Sequence, residues 1–96
     1  MALDEHLEDK REEILRLCAT YGARNPRVFG SVARWNADTR SDYDFLVELE
    51  PGRSLFDHGG LQYELERLLG RSVDVITERG LKARIRERVL REAVPL

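Results

Sequence analysis

The chain has one cysteine, Cys18, so no disulfide can close within it. Cys18 falls on the apolar stripe of the first expected helix, where a buried, inert thiol fits. No apolar run approaches the roughly 20 residues of a membrane span. The acidic N-terminal stretch has no signal-peptide core. Together these absences make a reducing cytoplasm the expected setting and a membrane partner unexpected. The two histidines, His6 and His58, have no metal-ligand spacing and are expected exposed or at helix ends. Net charge is only -2, which gives no overall field toward nucleic acid or membrane. No basic groove interleaved with aromatics is visible, so direct nucleic-acid binding is not expected. There is no repeat, low-complexity stretch or linker. The 96 residues are expected to form one domain, 1–96, with one modest core.

Charge is plentiful, at 35% of residues, and it is segregated. Asp4, Glu5, Glu8, Asp9, Glu12 and Glu13 make the first segment acidic. Arg79, Lys82, Arg84, Arg86, Arg88 and Arg91 make the last one basic. Solvated helix faces account for both, and both are candidate docking surfaces.

Periodicity divides the chain into alternating helices and strands. Leu7, Ile14, Leu17, Cys18 and Tyr21 recur at helical spacing over about 3–21, with Gly22 as a C-cap. Asn25-Pro26 ends that segment, and Arg27-Val28-Phe29 is a short strand. A short helix from about Ser31 to Trp35 and a polar loop from Asn36 to Arg40 follow. Asp42 to Leu49 is a strand with Asp42 and Asp44 on one face and Tyr43, Phe45 and Val47 on the other. Ser54 caps the next helix with Asp57 three residues on, and Gly70 ends it. Leu61, Leu65, Leu68 and Leu69 form its stripe, and Gly59-Gly60 inside it should cost about 1 kcal/mol each against alanine. Close packing or a break near the helix start would explain the two glycines. Ser72 to Thr77 is a strand, and Leu81, Ile85 and Val89 mark a last helix over about 81–92. The class is α/β or α+β: a small sheet with helices on one face, the other face open around carboxylates.

The chemistry gathers at Gly30-Ser31 and, ten residues later, Asp42-Tyr43-Asp44 opening the apolar run Phe45-Leu46-Val47. A glycine lets backbone approach a phosphate, and a serine at a helix start offers a hydroxyl and an N–H to an anion. Arg34, one turn on, is a candidate for neutralising phosphate charge. Magnesium prefers carboxylate, phosphate and water ligands. Two aspartates at i and i+2 on one strand face can bridge two such ions. Asp74 lies inside the apolar strand Ser72–Thr77 and points with Asp42 and Asp44 if the strands are adjacent. There it can hold a metal near an acceptor and help deprotonate the acceptor hydroxyl. An EF-hand fits worse, because Val47 and Arg53 stand where that loop needs Gly and Glu. Trp35 suits core packing, with a nucleotide base as its other contact.

The segments Val28-Phe29-Gly30-Ser31-Val32-Ala33-Arg34 and Ser41-Asp42-Tyr43-Asp44-Phe45-Leu46-Val47 resemble the DNA polymerase β-like nucleotidyltransferase superfamily. The short length and the Val73-Asp74-Val75 strand resemble its minimal nucleotidyltransferases, the MntA-like antitoxins, over nearly the whole chain. The resemblance implies a small mixed sheet flanked by helices, the palm-like fold of polymerase β. It implies that Gly30 and Ser31 form the phosphate-binding turn, Asp42 and Asp44 the paired metal ligands, and Asp74 the third carboxylate. It also implies transfer of AMP from ATP, with two Mg2+ ions or Mn2+ in their place, to a tyrosine of a partner HEPN-type toxin. The chain would then be the antitoxin of a toxin–antitoxin pair. A non-catalytic antitoxin that blocks its partner by contact is the alternative. Larger relatives carry extra domains around the acceptor, so this chain's site is expected to be open until a partner surface completes it.

Overall fold

The computed structural model describes residues 5–29 and 43–96. The expected short helix over 31–35, the loop over 36–40, Gly30 and Asp42 lie outside these residues.

The order of elements is α1 (Glu5–Asp9), α2 (Arg11–Thr20), β1 (Ala23–Phe29), β2 (Tyr43–Leu49), α3 (Leu55–Leu69), β3 (Val73–Thr77), a 3-10 turn (Glu78–Gly80), α4 (Ala83–Glu92) and β4 (Val94–Pro95). The strands form a mixed sheet in the order β3-β2-β1-β4. β1 runs antiparallel to β2 and β4, and β2 runs parallel to β3. A parallel neighbour needs a crossover, and α3 is that crossover. Its ends are defined chemically. Ser54 Oγ accepts from the Phe56 N–H, and Asp57 Oδ2 accepts from the Ser54 N–H at 3.0 Å. Gly70, at φ +67, closes the other end and donates its N–H to Glu66 O at 2.8 Å.

The main core lies on one side of the sheet. Leu7, Ile14 and Cys18 from α1 and α2 and Leu61, Leu65 and Leu69 from α3 pack on Val28, Phe45, Val47, Val73 and Val75. The mixed sheet with helices is as expected, but the layering is fuller than one-sided. α4 sits on the opposite face, where Val89 is buried against Phe29 and Leu46, flanked by Ile76, Ile85 and Leu81. Leu46 lies between the outward Asp44 and Glu48, and an apolar residue there requires a cover. The acidic first segment and the basic last helix therefore occupy opposite sides of the sheet.

Four local details differ from the sequence pattern or settle it. The first helix is interrupted at Lys10, whose N–H meets both His6 O and Leu7 O. Leu7 and Ile14, on either side of that turn, are both buried in the core. β1 begins at Ala23 rather than Arg27, with a bulge between Arg24 and Arg27. Asn25 takes φ +52 at the bulge and donates to Glu48 Oε2 at 2.9 Å, so Asn25-Pro26 kinks a strand instead of ending a segment. Gly60 is a close-packing glycine: a Cβ there would meet the Tyr21 ring at 2.6 Å. Gly59 has open space on its outer side, and α3 runs through both without a break.

The free edge of β3 is covered by α3. Glu66 accepts from the Val73 N–H at 3.2 Å and Gln62 from the Val75 N–H at 3.0 Å, while His58 Nε2 bonds Val75 O. These three residues are four apart and share one helix face. An edge strand presents unpaired donors and acceptors, and here side chains occupy them. His58 is thus half-buried and structural, and His6 likewise bonds Leu69 O at 3.0 Å.

Candidate active site

The register of β2 and β3 decides which acids meet. Asp44 pairs with Asp74, between the pairs Tyr43–Val73 and Phe45–Val75. Strands lie about 4.8 Å apart, and paired residues point to the same face. Phe45 and Val75 are in the main core, so Asp44 and Asp74 face away from it. On the other side Asp44 pairs with Phe29, the residue before Gly30. Tyr43 is buried against the core side, as its position in the strand predicts.

Asp44 is only 2% exposed. Its Oδ2 has no hydrogen-bond partner among the described residues. Burial, and then the charge of Asp74, push its pKa from 3.8 up to about 7. Asp74 is partly exposed. A buried carboxylate with an unmet oxygen is costly unless a cation or donor reaches it. Two carboxylates side by side repel each other when both are ionised. A divalent cation relieves both conditions, and hard oxygen ligands suit Mg2+ and Mn2+. The pair therefore fits the expected metal chemistry. Among the described residues no cluster of three His, Cys, Asp or Glu side chains gathers. Asp42, the other expected ligand, lies outside them, as do Gly30, Ser31, Arg34 and Trp35.

Away from the carboxylates, the same sheet face carries a charged anchor that sequence alone did not single out. Arg27 is 9% exposed, donates from Nε to Asn25 O at 2.9 Å and pairs with Glu78 Oε2 at 2.8 Å. Arg86 of α4 donates to Glu78 O at 2.8 Å and pairs with its carboxylate at 3.5 Å. Glu78 thereby ties β1 and α4 together after β3. Alternation along β1 placed Arg27 on this face, but its partner came from a turn fifty-one residues on. Asn25, first, and Arg27 among the further causes hold the Glu48 carboxyl below its usual range. A groove of about 640 Å³ is lined by Arg24, Glu48, Arg53, Thr77, Glu78 and Arg79. It lies at the Leu49–Thr77 end of the parallel pair, away from Asp44 and Asp74.

The small mixed sheet agrees with the family that sequence and structure comparisons assign. Residues 10–96 match the family model described as the nucleotidyltransferase domain. The chain is 39% identical over 92 residues to the protein adenylyltransferase MntA of Thermococcus cleftensis, covering 96% of this chain and 86% of that one. It is 37% identical over 89 residues to MJ0435 of Methanocaldococcus jannaschii, provisionally named a protein adenylyltransferase, covering 93% and 96% of the two. A solved structure provisionally described as a minimal nucleotidyltransferase is 56% identical, with a TM-score of 0.79 over 96% of this chain and 94% of that chain. A toxin–antitoxin structure with AMP-PNP shares the fold, at 19% identity and a TM-score of 0.66 over 88% and 69%. The chain belongs to the nucleotidyltransferase domain family and is a nucleotidyltransferase. Within that family it is one of the minimal nucleotidyltransferases similar to MntA. No helix among the described residues is long and apolar enough to cross a membrane.

Proposed function

We propose that this chain, as one domain over 1–96, moves AMP from ATP to a hydroxyl of a partner toxin and thereby silences it. The acceptor in this reading is a tyrosine of a HEPN-type toxin, and the setting is the cytoplasm. The observation that carries it is the register pair Asp44–Asp74, one member buried with an unmet oxygen. The names of the relatives support adenylyl transfer to protein, and the toxin–antitoxin structure of the same fold supports such a partner.

Asp42, Asp44 and Asp74 would hold the divalent ions, Mg2+ or Mn2+. Bound there, such ions supply positive charge to the triphosphate oxygens. Gly30 and Ser31 give the phosphates a close backbone approach and N–H and hydroxyl donors, and Arg34 adds a countercharge. The acceptor oxygen attacks the α-phosphorus, an O–P bond forms, and the bond to the β-phosphate breaks to release pyrophosphate. Asp74 is partly open to solvent and in this reading would receive the hydroxyl proton. Asp44, buried beside it, would be the fixed ligand.

The test is label transfer from ATP labelled at the α-phosphate, with Mg2+ and lysate of the source cell, for wild type and Asp42→Asn/Asp44→Asn. A protein band labelled by the wild type alone supports the reading. A toxin neutralised equally by both forms, with no labelled band, rejects it in favour of blocking by contact.

A further inference from the structure

The outward face of α3 does not resemble a solvated helix face. Leu55 is 85% exposed, Phe56 91% and Tyr63 59%, the largest exposures among the described large hydrophobics. Phe56, Gly59 and Tyr63 are spaced by three and four residues, so they lie along one stripe. Gly59 has nothing within 4 Å of where its Cβ would stand. A glycine inside a helix costs about 1 kcal/mol against alanine. Gly60 offsets that cost by letting Tyr21 pack closely, but no neighbour among the described residues does the same for Gly59. Exposed aromatics around a bare stretch of helix backbone are the composition of an interface centre.

We propose that this face of α3 pairs with the same face of a second copy of the chain. The stripe is self-complementary. In an antiparallel pair of helices crossing beside Gly59, a two-fold axis sets Phe56 of each copy against Tyr63 of the other. The bare backbone at Gly59 lets the two helices approach at the crossing. Twofold pairing of one patch with itself is the commonest symmetric assembly. The area is of the size a weak dimer buries. Buried aromatics contribute about 150–250 Å² each, so Leu55, Phe56 and Tyr63 expose roughly 400 Å² per copy. The two patches come to roughly 800 Å², the low end for a protein contact, so the pair is expected to be weak and concentration-dependent. α3 has 15 residues and is about 22 Å long, enough to hold such a crossing. The carboxylates lie on the far side of the sheet from α3, so pairing does not cover them. The inference stands independently of the proposed reaction.

The experiment is sedimentation velocity of the whole chain over a concentration series up to the millimolar range, with circular dichroism melting alongside. The variants are Phe56→Glu and Gly59→Leu. The wild type is expected to be a dimer, and Phe56→Glu a monomer with an unchanged melting profile when both are dilute. Gly59→Leu is the sharper variant. It is expected to weaken the dimer at least about tenfold while raising the melting temperature of the monomer, since its own fold leaves room for the side chain. A wild type that stays monomeric throughout overturns the proposal, and so does a dimer indifferent to both substitutions. A monomer whose patch becomes covered only by a different protein also overturns it and assigns the face to that partner.

Discussion

Asp44 and Asp74 stand in register on neighbouring parallel strands, and of the two only Asp74 reaches solvent. The strand pairing thus makes two chemically distinct carboxylates from one residue type. One is buried, with a pKa raised to about 7, and the other is partly exposed to solvent.

Without metal, this pair should make folding depend on pH in a definite direction. In the folded chain Asp44 keeps its proton up to about pH 7, while in the unfolded chain it loses it near 3.8. The stabilising contribution is whole below about pH 4 and is lost as pH rises through 7. The Asp44→Asn variant should therefore be more stable than wild type at pH 8 by roughly 2–4 kcal/mol, and the gain should vanish at pH 4. Urea melts of the metal-free protein at the two pH values check this.

Divalent cation should reverse that penalty. Mg2+ or Mn2+ should raise the melting temperature of the wild type at pH 8, because a ligand bound only by the folded state stabilises it. The Asp44→Asn/Asp74→Asn variant should show no such rise. A thermal-shift series in metal concentration separates the two outcomes.

The neighbouring glycines of α3 should respond in opposite senses. Gly60→Ala drives a methyl into the Tyr21 ring and should destabilise by about 1–3 kcal/mol. Gly59→Ala meets none of the described residues and should stabilise the monomer by up to about 1 kcal/mol. Chemical melts in the Phe56→Glu background keep self-association out of the comparison.

The covered edge of β3 makes a fourth prediction. Gln62→Ala leaves the Val75 N–H without its acceptor and should cost about 1–2 kcal/mol. Hydrogen exchange at Val75 should speed up in this variant while that at Phe45 in the sheet centre keeps its protection.

Much of this architecture was legible in the residues. Ser54 and Asp57 announced the capping box, Gly70 the left-handed stop, and the alternation around Phe45 the face that Asp44 takes. That Asp74 shares the face of Asp44 followed once the two strands were taken as adjacent, while their register needed the structure. What periodicity could not show depends on contacts distant in sequence. Leu46 gave no sign of which element covers it, and Val89 does so from more than forty residues away. β4 is two residues long and too short to carry a pattern. The bulge at Asn25 resembled a segment end because Asn-Pro marks both. Gly59 and Gly60 are identical in sequence context and differ only in that Tyr21 comes to rest against one of them. The roles of Gly30, Ser31, Arg34 and Asp42 rest on the sequence pattern, since they lie outside the described residues.

Label transfer from ATP labelled at the α-phosphate, with the partner toxin present, decides whether this chain adenylylates a protein. Wild type with Mg2+ is expected to label one protein band. Asp42→Asn/Asp44→Asn is expected to lose about a hundredfold or more, the several kcal/mol that bound metal charge would supply. Undiminished labelling by that variant, or label carried only by RNA or a small molecule, would contradict the proposed function.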